Sequence, residues 1–270
     1  MSRAKLSAVP ALATAIALAG LLGGCSLFSD DTKEANKSPQ QLYADARDEM
    51  SSNNWDKAVP ILEKLEGRAA GTPLAQQAQL EKAYSQYRGN DQASALATID
   101  RFLKQHPASP ALDYALYLKG IVNFNDNLGP LSFLARQDLS ERDQKAAKES
   151  FESFRELVNR FPDSKYSTDG RARMRYIINS LAAYEVHVAR YYYERGAYVA
   201  AINRAQSAIT EYREVPAIEE AMYILIRSYE ALGMTTLADD TKRVMAKSYP
   251  NSEYIARGFK GKQDPWWKVW

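Results

Sequence analysis

The sequence predicts an all-α protein, built as a right-handed solenoid of five antiparallel helix pairs, with an insertion in the third pair and an elongated first helix in the fourth. Helix-favouring Ala, Leu, Gln, Glu, Lys and Arg are abundant, and β-branched runs are few. A turn pattern also recurs: a glycine or asparagine suited to a left-handed backbone is followed five residues later by an alanine. In the most complete copy, residues 194–208, Gly196 ends one helix and Ala201 lies where two helices cross.

Five alanines are predicted at such helix crossings: Ala58, Ala95, Ala147, Ala201 and Ala238. They lie 37, 52, 54 and 37 residues apart, and two of them precede a helix-stopping proline by twelve residues. Intervals near the mid-thirties resemble the tetratricopeptide repeat (TPR), a pair of antiparallel helices with a period of about 34 residues. The two longer intervals predict extra material inside the third repeat and before the fourth.

Caps, prolines and apolar periodicity predict the helix boundaries. Ser38 and Pro39 begin the first helix, which ends near Ser51, and its partner follows from Trp55. The later helices are predicted at 73–88, 92–105, 143–160, 168–194, 217–232 and 235–248. One more is predicted to begin near residue 110, and another to contain Ala201. The helix at 168–194 is predicted to be the longest because its apolar residues keep a 3.6-residue period throughout.

The first 24 residues resemble a bacterial lipoprotein signal peptide. A basic start, an apolar run over residues 6–22 and the box Leu22-Gly23-Gly24-Cys25 follow one another. The thiol of Cys25 is the atom that would take the lipid, and Ser26 after it points to the outer membrane. The alternative is an uncleaved membrane anchor, because the apolar run could nearly span a bilayer.

The rest of the chain is predicted to divide into four parts. Residues 25–37 form a polar, lipidated, flexible tether, 38–142 the amino-terminal TPR half and 143–252 the carboxy-terminal half. Residues 123–142 are the insertion, whose apolar side chains either pack on the repeats, which we favour, or bind a partner. Residues 253–270 form an aromatic tail with Trp266, Trp267 and Trp270, which is either disordered or docks on a partner.

Composition excludes several classes of function. The chain has 35 Lys and Arg against 33 Asp and Glu, and two of its basic residues lie in the signal peptide, so the mature chain is neutral and has no electrostatic reason to bind nucleic acid. His106 and His187 are far apart in sequence, Cys25 is the single cysteine, and no phosphate-binding loop or GxSxG motif occurs. We therefore expect no enzymatic activity, no metal and no cofactor.

The concave wall of a TPR solenoid is lined by the first helix of each repeat. The residues predicted to face it are Tyr43, Arg47, Tyr84, Tyr87, Arg88, Tyr114 and Tyr117. Tyrosines beside arginines suit an extended peptide with aromatic side chains and a free carboxylate. The alternative is that these tyrosines close the interfaces between repeats.

Several short sequence motifs occur together with the lipoprotein box, the repeats, the insertion and the overlong helix. They are Asn54-Trp55-x-x-Ala58, Ile99-Asp100-Arg101-Phe102, Asp113-Tyr114, Phe161-Pro162-Asp163-Ser164-x-Tyr166, and Tyr191-Tyr192-x-Glu194-Arg195-Gly196-Ala197-x-x-Ala200 with Asn203-Arg204. Together they resemble the BamD/ComL family of outer-membrane β-barrel assembly lipoproteins. The resemblance implies a non-enzymatic subunit of the β-barrel assembly (BAM) complex, on the periplasmic face of the outer membrane.

The resemblance also implies partners. The carboxy-terminal repeats would dock on a periplasmic POTRA domain of the barrel subunit BamA and hold other BAM lipoproteins, while the amino-terminal repeats would receive unfolded outer-membrane β-barrel proteins. Arg204 matches an arginine that engages an acidic residue of the POTRA domain, and Asn203, Glu194 and Arg195 belong to the same string. We predict that Arg204 points away from its helix pair; the alternative is a solvated pair with Glu211 or another acid.

One segment departs from the family. Residues 68–74, Arg-Ala-Ala-Gly-Thr-Pro-Leu, replace an Arg-Tyr-Pro-Phe-Gly-Pro-Tyr-like turn, so substrate contacts attributed to that turn are not carried over. Competing functions for a lipid-anchored TPR protein are a pilotin, a peptidoglycan-associated scaffold or an activator of a periplasmic hydrolase.

Overall fold

The computed structural model describes residues 37–124 and 144–259. Over these two ranges the chain is helical and contains no strand, which confirms the all-α prediction. Cys25 and the rest of the signal and tether to residue 36, residues 125–143 of the third repeat, and the tail from residue 260 with its three tryptophans lie outside the described residues.

Eleven helices occur in the described ranges. They are α1 Pro39–Ser51, α2 Trp55–Arg68, α3 Pro73–Arg88, α4 Gln92–Gln105, α5 Leu112–Phe124, α6 Gln144–Arg160, α7 Ser167–Glu194, α8 Tyr198–Glu211, α9 Ala217–Ala231, α10 Thr235–Ser248 and α11 Glu253–Arg257. The predicted boundaries agree with these to within about two residues. Four of the predicted pairs are in contact: α1 with α2, α5 with α6, α7 with α8, and α9 with α10. In the remaining pair the Thr98 hydroxyl of α4 donates a 2.9 Å hydrogen bond to Gln86 of α3.

The chain divides into two compact units, residues 1–98 and 99–270, with the boundary inside α4. In the first unit α2 packs against both α1 and α3, around a core that includes Leu42, Leu62 and Leu65. In the second unit α6 packs on α5 and α7, and α7 also contacts α8 and α9. Helix α9 then contacts α8, α10 and α11.

Local chemistry explains where the first helix begins. Ser38 caps α1: its hydroxyl accepts a hydrogen bond from the Gln41 backbone N–H, and the Gln41 side chain accepts one from the Ser38 N–H. Pro39 follows at the first helical position, where its missing N–H costs nothing.

The turns between paired helices have the predicted left-handed residues. The φ angles are +59° at Asn53, +64° at Asn90, +75° at Gly196 and +72° at Gly233. The alanines five residues further on, Ala58, Ala95, Ala201 and Ala238, are at most 1% exposed. The left-handed turns and the burial of the alanines that follow them are therefore confirmed in four of the repeats.

The crossing residue of the third repeat is Ser150, and the prediction of Ala147 is wrong. Ser150 is fully buried and its hydroxyl donates a hydrogen bond of 2.8 Å to the Gly120 carbonyl, whereas Ala147 is only half-buried. Gly120 faces the ring of Phe154, and a methyl group on it would lie 2.5 Å from the nearest ring carbon. Ser150 also precedes Pro162 by twelve residues, the standard offset.

The long helix α7 has 28 residues and buries one continuous face along its second half. Leu181, Ala182, Val186 and Ala189 on that face are buried together with one acid, Glu185. Tyr184, Val188 and Tyr192, in the same half of the helix, are only half-buried.

The folded part of the second unit extends into the segment predicted as a tail. Tyr254 of α11 is 2% exposed, its hydroxyl donates a 2.7 Å hydrogen bond to Glu220 of α9, and its ring stacks on Tyr223. Burial, then the Glu220 carboxylate, raises the pKa of Tyr254. Phe259 packs on Tyr193 and Tyr223, so the packed region reaches at least to this residue.

Candidate functional site

In the first unit, two predicted groove residues, Tyr43 and Arg47, approach one half-buried carboxylate, that of Glu81. The Tyr43 hydroxyl donates to Glu81 Oε1 at 3.1 Å and accepts from Gln77 Nε2 at 2.6 Å, while Arg47 lies 3.8 Å from the same carboxylate oxygen. Burial, then the charge of Glu81, raises the pKa of Tyr43. The other oxygen, Glu81 Oε2, is buried and receives no hydrogen bond from the described part of the chain.

Beside this cluster, Arg88 and two aromatic rings form a platform. The Arg88 guanidinium lies 4.6 Å from the centre of the Trp55 ring, and its NH1 donates a 2.8 Å hydrogen bond to the Tyr84 hydroxyl. Trp55 meets Tyr84 edge to face, with ring centres 5.8 Å apart. Arg88 is exposed and Tyr84 and Tyr87 are half-buried, so the guanidinium and part of the aromatic surface face solvent. We call Trp55, Tyr84 and Arg88 the aromatic platform.

The two predicted groove residues of the second unit are engaged in packing. Tyr117 stacks on Tyr166 with ring centres 4.8 Å apart, and Tyr114 lies 5.5 Å from the same ring. The Tyr117 hydroxyl donates to Asp169 Oδ2 at 2.9 Å, and burial followed by this hydrogen bond raises its pKa. These contacts support the alternative in which both tyrosines close a helix interface. A substrate contact by either stays a prediction.

In the carboxy-terminal half, Arg204 on α8 pairs with Glu185 on α7. Arg204 NH1 lies 3.1 Å from Glu185 Oε2 and 3.4 Å from Oε1. The Glu185 side chain is 10% exposed and the Arg204 side chain 45%. The hydrogen bond and the charge of Glu185 raise the pKa of Arg204. One face of the guanidinium is therefore fixed to a buried carboxylate while the remainder is accessible.

The prediction that Arg204 points away from its helix pair is wrong, because its side chain bridges the two helices of the pair. The alternative was a pair with Glu211 or another acid, and the acid that pairs with Arg204 is Glu185. The sequence carried a signal for this pair: Glu185 lies four residues from Leu181 and from Ala189, on the apolar face of α7. An acid on such a face requires a partner, because burying an unpaired charge is costly.

The other residues of the predicted partner site lie at or near the turn between α7 and α8. Arg195 stacks over the Tyr191 ring at 4.6 Å, and both side chains are exposed. Glu194, the last residue of α7, and Asn203 on α8 are exposed as well. Val199 is 61% exposed, so an apolar side chain also faces solvent at this turn.

Within residues 37–124 and 144–259, no group of three or more His, Cys, Asp or Glu side chains has the geometry of a metal site. None of the helices in those ranges is both long and apolar enough to cross a bilayer.

Comparison with known proteins identifies the family of this chain. A family model described as YfiO, outer membrane lipoprotein, matches residues 35–244. The outer membrane protein assembly factor BamD of Neisseria meningitidis serogroup B is 42% identical over 259 residues, which cover 94% of this chain and 97% of that protein. The chain belongs to the YfiO/BamD family.

Other YfiO/BamD relatives are more distant but extend over similar lengths. BamD of Vibrio cholerae is 33% identical to this chain, over 83% of this chain and 92% of the Vibrio protein. BamD of Haemophilus influenzae is 32% identical, over 85% of this chain and 87% of the Haemophilus protein. Among solved structures, a TPR-like repeat protein of Podosopora anserina aligns over 78% of this chain and 96% of its own, with a TM-score of 0.37 and 13% identity. That similarity is too low to bear on fold or function.

Proposed function

We propose that this chain is a non-enzymatic scaffold subunit of the outer-membrane β-barrel assembly complex. The observation that carries the proposal is the 42% identity to a protein named as an outer membrane assembly factor, over nearly the full length of both chains. A pilotin or a peptidoglycan scaffold would share the anchor and the repeats, but the relatives described above are all named BamD.

In this proposal, lipid on Cys25 holds the protein on the periplasmic face of the outer membrane. Acyl chains contribute about 0.8 kcal/mol per buried methylene, so more than one chain gives stable anchoring. The role needs surfaces for partners and no catalytic group. The partners are a BamA POTRA domain, the other BAM lipoproteins and unfolded outer-membrane β-barrel proteins.

The surface proposed for BamA is centred on Arg204. Glu185 uses one edge of the guanidinium and fixes its position, which reduces the entropy lost when a partner binds. The accessible edge keeps N–H donors that can hold a second carboxylate with parallel hydrogen bonds. Asn203 and the exposed turn with Glu194 and Arg195 complete this surface.

The experiment must separate docking from folding, because charge reversal at Arg204 alone would place two acids together at a buried position. We therefore expect Arg204→Glu alone to destabilise the fold. Combining it with Glu185→Gln removes the buried charge, so the double variant should fold but capture much less BamA from detergent extracts. Glu185→Gln alone keeps the arginine and is the matched control, expected to capture clearly more BamA than the double variant.

The outcomes are distinct. Recovery of capture when an acidic residue of the POTRA domain is changed to Lys would identify its partner. Undiminished capture by the folded double variant would contradict a docking role for Arg204. Circular dichroism and thermal unfolding of each variant establish that folding is intact.

The surface proposed for unfolded substrates is in the first unit. The aromatic platform offers stacking surface and a guanidinium, and Tyr43, Arg47 and Tyr87 lie on the same two helices, α1 and α3, that carry Tyr84 and Arg88. Such a set suits an extended peptide that ends in an aromatic residue and a carboxylate.

Binding of a fluorescent peptide from the end of a barrel protein tests this surface. Arg88→Gln removes one charge-assisted contact, worth about 1–2 kcal/mol, so we expect roughly ten-fold weaker binding. Lys57→Gln is the control, since it removes an exposed positive charge from α2 without touching the platform. Equal affinity of the two variants would contradict the assignment.

A further inference from the structure

Helix α10, the second helix of the fifth repeat, has apolar side chains on an exposed face. The helix packs against α9, and its two buried residues are Ala238 and Met245. Leu237 and Val244 directly precede them and are seven residues apart, so they share a second face of the helix. They are 48% and 50% exposed, and their hydrocarbon surface is therefore in contact with water.

The same two positions are polar or small in the second helices of the other four repeats. The residue before the buried crossing residue is Lys57, Ser94, Glu149 or Ala200. The residue six positions after it is Lys64, Arg101, Glu156 or Ser207. A terminal repeat of a solenoid normally has a polar outer face, which keeps the array soluble. The large apolar side chains of α10 are therefore not required by the repeat, and they indicate an interface.

The exposed face has the spacing of a coiled-coil seam, in which residues follow one another at intervals of four and three. The residues with this spacing on α10 are Leu237, Thr241, Val244 and Ser248. We call these four residues the α10 seam. The Thr241 hydroxyl donates a 2.7 Å hydrogen bond to the Leu237 carbonyl, so covering Thr241 leaves no donor unsatisfied.

The two sides of the α10 seam differ. On one side Ala238 and Met245 are buried against the chain itself. On the other side Asp240 and Lys247, also seven residues apart, are exposed and carry opposite charges. Asp240 pairs with Arg243 on the same helix, and such an exposed pair contributes little stability. Lys247 forms no ion pair in the described ranges, so both charges are available to a partner.

A second copy of α10 complements this arrangement when the two helices run antiparallel. In a parallel pair, each side of one seam would face the opposite side of the other, and one of those sides is already covered by its own chain. In an antiparallel pair, equivalent sides face each other. Asp240 of each helix then lies opposite Lys247 of the other, and Thr241 lies opposite Val244. Such a contact is self-complementary about a two-fold axis.

From these observations we propose that two copies of this chain associate through an antiparallel pair of α10 helices. This association is independent of the proposed assembly function. Each copy contributes two large apolar side chains from its seam, which is far less than the roughly 800 Å² per partner of a stable interface, so the pair is weak and reversible. Chains anchored in one membrane associate more readily, because their local concentration is higher.

Sedimentation of the purified mature chain, with Cys25→Ser, tests self-association between about 10 µM and about 1 mM. The average mass should rise with concentration toward that of a dimer. Val244→Lys places a charge inside the seam and should weaken association about ten-fold or more. Val199→Lys is the matched control, because Val199 is a similarly exposed valine on α8, and it should change nothing. A chain that stays monomeric throughout, or equal effects of the two lysines, overturns the proposal.

Exchange of charges tests the antiparallel orientation. Asp240→Lys alone and Lys247→Asp alone should each associate less than the unmodified chain, because each variant places like charges opposite one another in its own dimer. An equal mixture of the two variants should associate again, since every opposed pair then has opposite charges. Both positions are exposed, so folding should be unaffected. A mixture that associates no better than either variant alone contradicts the proposal.

Disulfide trapping gives an independent readout in the Cys25→Ser chain. Leu237→Cys and Ser248→Cys are eleven residues apart, about 16 Å along the helix. When chains with different tags are oxidised together, the mixed disulfide should exceed both self disulfides, because Leu237 lies opposite Ser248 in the antiparallel pair. An excess of self disulfides would show parallel pairing and contradict the proposal. If Val244→Lys left self-association intact but removed a co-purifying protein, the seam would belong to that protein instead.

Discussion

At the scale of single residues, the placement of charge at helix interfaces decides which substitutions are informative. Glu185 and Glu220 are both less than 10% exposed, and each is paired with an arginine, Arg204 and Arg190 respectively. Removing one partner of a buried pair leaves an uncompensated charge and costs up to 3–5 kcal/mol. Since Arg204 is half-exposed, we expect the smaller end of that scale for its loss, and any functional test of Arg204 must include Glu185.

Asp169 provides a prediction for pH dependence. Burial works to raise the pKa of its carboxyl, but hydrogen bonds from Arg173 at 2.6 Å and from Tyr117 outweigh burial and lower the pKa below its ordinary value of 3.8. A lowered folded-state pKa stabilises the protein above the unfolded value, and this stabilisation is lost as pH falls through the folded value.

The prediction is that Asp169→Asn lowers the free energy of unfolding at pH 6, and that its difference from the unmodified chain shrinks steadily below about pH 4. Urea denaturation of the variant and the unmodified chain at pH 6, 4 and 3 measures this difference in the free energy of unfolding. Asp163→Asn is the control, because this exposed carboxylate makes no ion pair in the described part of the chain. A difference that grows on acidification would contradict the assigned contacts.

At the scale of helices, close crossings depend on small residues. Gly120 on α5 faces the Phe154 ring on α6, and a Cβ there would lie 2.5 Å from it. We expect Gly120→Ala to destabilise the protein by about 1–3 kcal/mol through overpacking, and Phe154→Leu to restore part of the loss.

Gly67 on α2 is the matched control for this prediction. A methyl group at Gly67 would meet nothing within 4 Å, so Gly67→Ala should leave stability unchanged or raise it by about 0.5–1 kcal/mol. Chemical denaturation of both variants and of the double variant makes the comparison. Equal effects of the two alanines would show that the α5–α6 crossing is not limited by Gly120.

Helix boundaries could be predicted from the sequence because local chemistry sets them. Pro39 and Pro73 begin helices, and Asn53, Gly196 and Gly233 take up the left-handed turns that follow helix ends. These features act over a few residues and are visible in any single chain. The unusual length of α7 could also be predicted, because its apolar residues keep a 3.6-residue period throughout the helix.

Features that depend on tertiary contacts were harder to predict from the sequence. Ser150 was missed because the insertion disrupts the spacing and a polar residue is unexpected at a crossing, although its hydroxyl is satisfied by the Gly120 carbonyl. The pairing of Arg204 with Glu185 joins residues 19 positions apart on different helices. The stacking of Tyr117 on Tyr166 likewise joins distant parts of the chain, so spacing alone could not separate packing from binding roles.

At the scale of the whole molecule, the proposed scaffold function depends on two separate surfaces, each of which contains an arginine. The described helices carry the aromatic platform in one unit and the Arg204 surface in the other. In the proposed function each unit has its own kind of partner, an extended peptide for the aromatic platform and an acidic folded protein for the Arg204 surface.

Affinity capture tests the central claim that this chain is a barrel-assembly subunit. A tagged, lipidated chain expressed at its native level would be purified from detergent-solubilised outer membranes of its own bacterium, and the co-purifying proteins quantified by mass spectrometry. We predict a BamA-type barrel protein with POTRA domains in near-equimolar amount, together with small lipoproteins. Recovery of the chain without that barrel protein, or with a secretin or a peptidoglycan-binding partner in its place, would contradict the account.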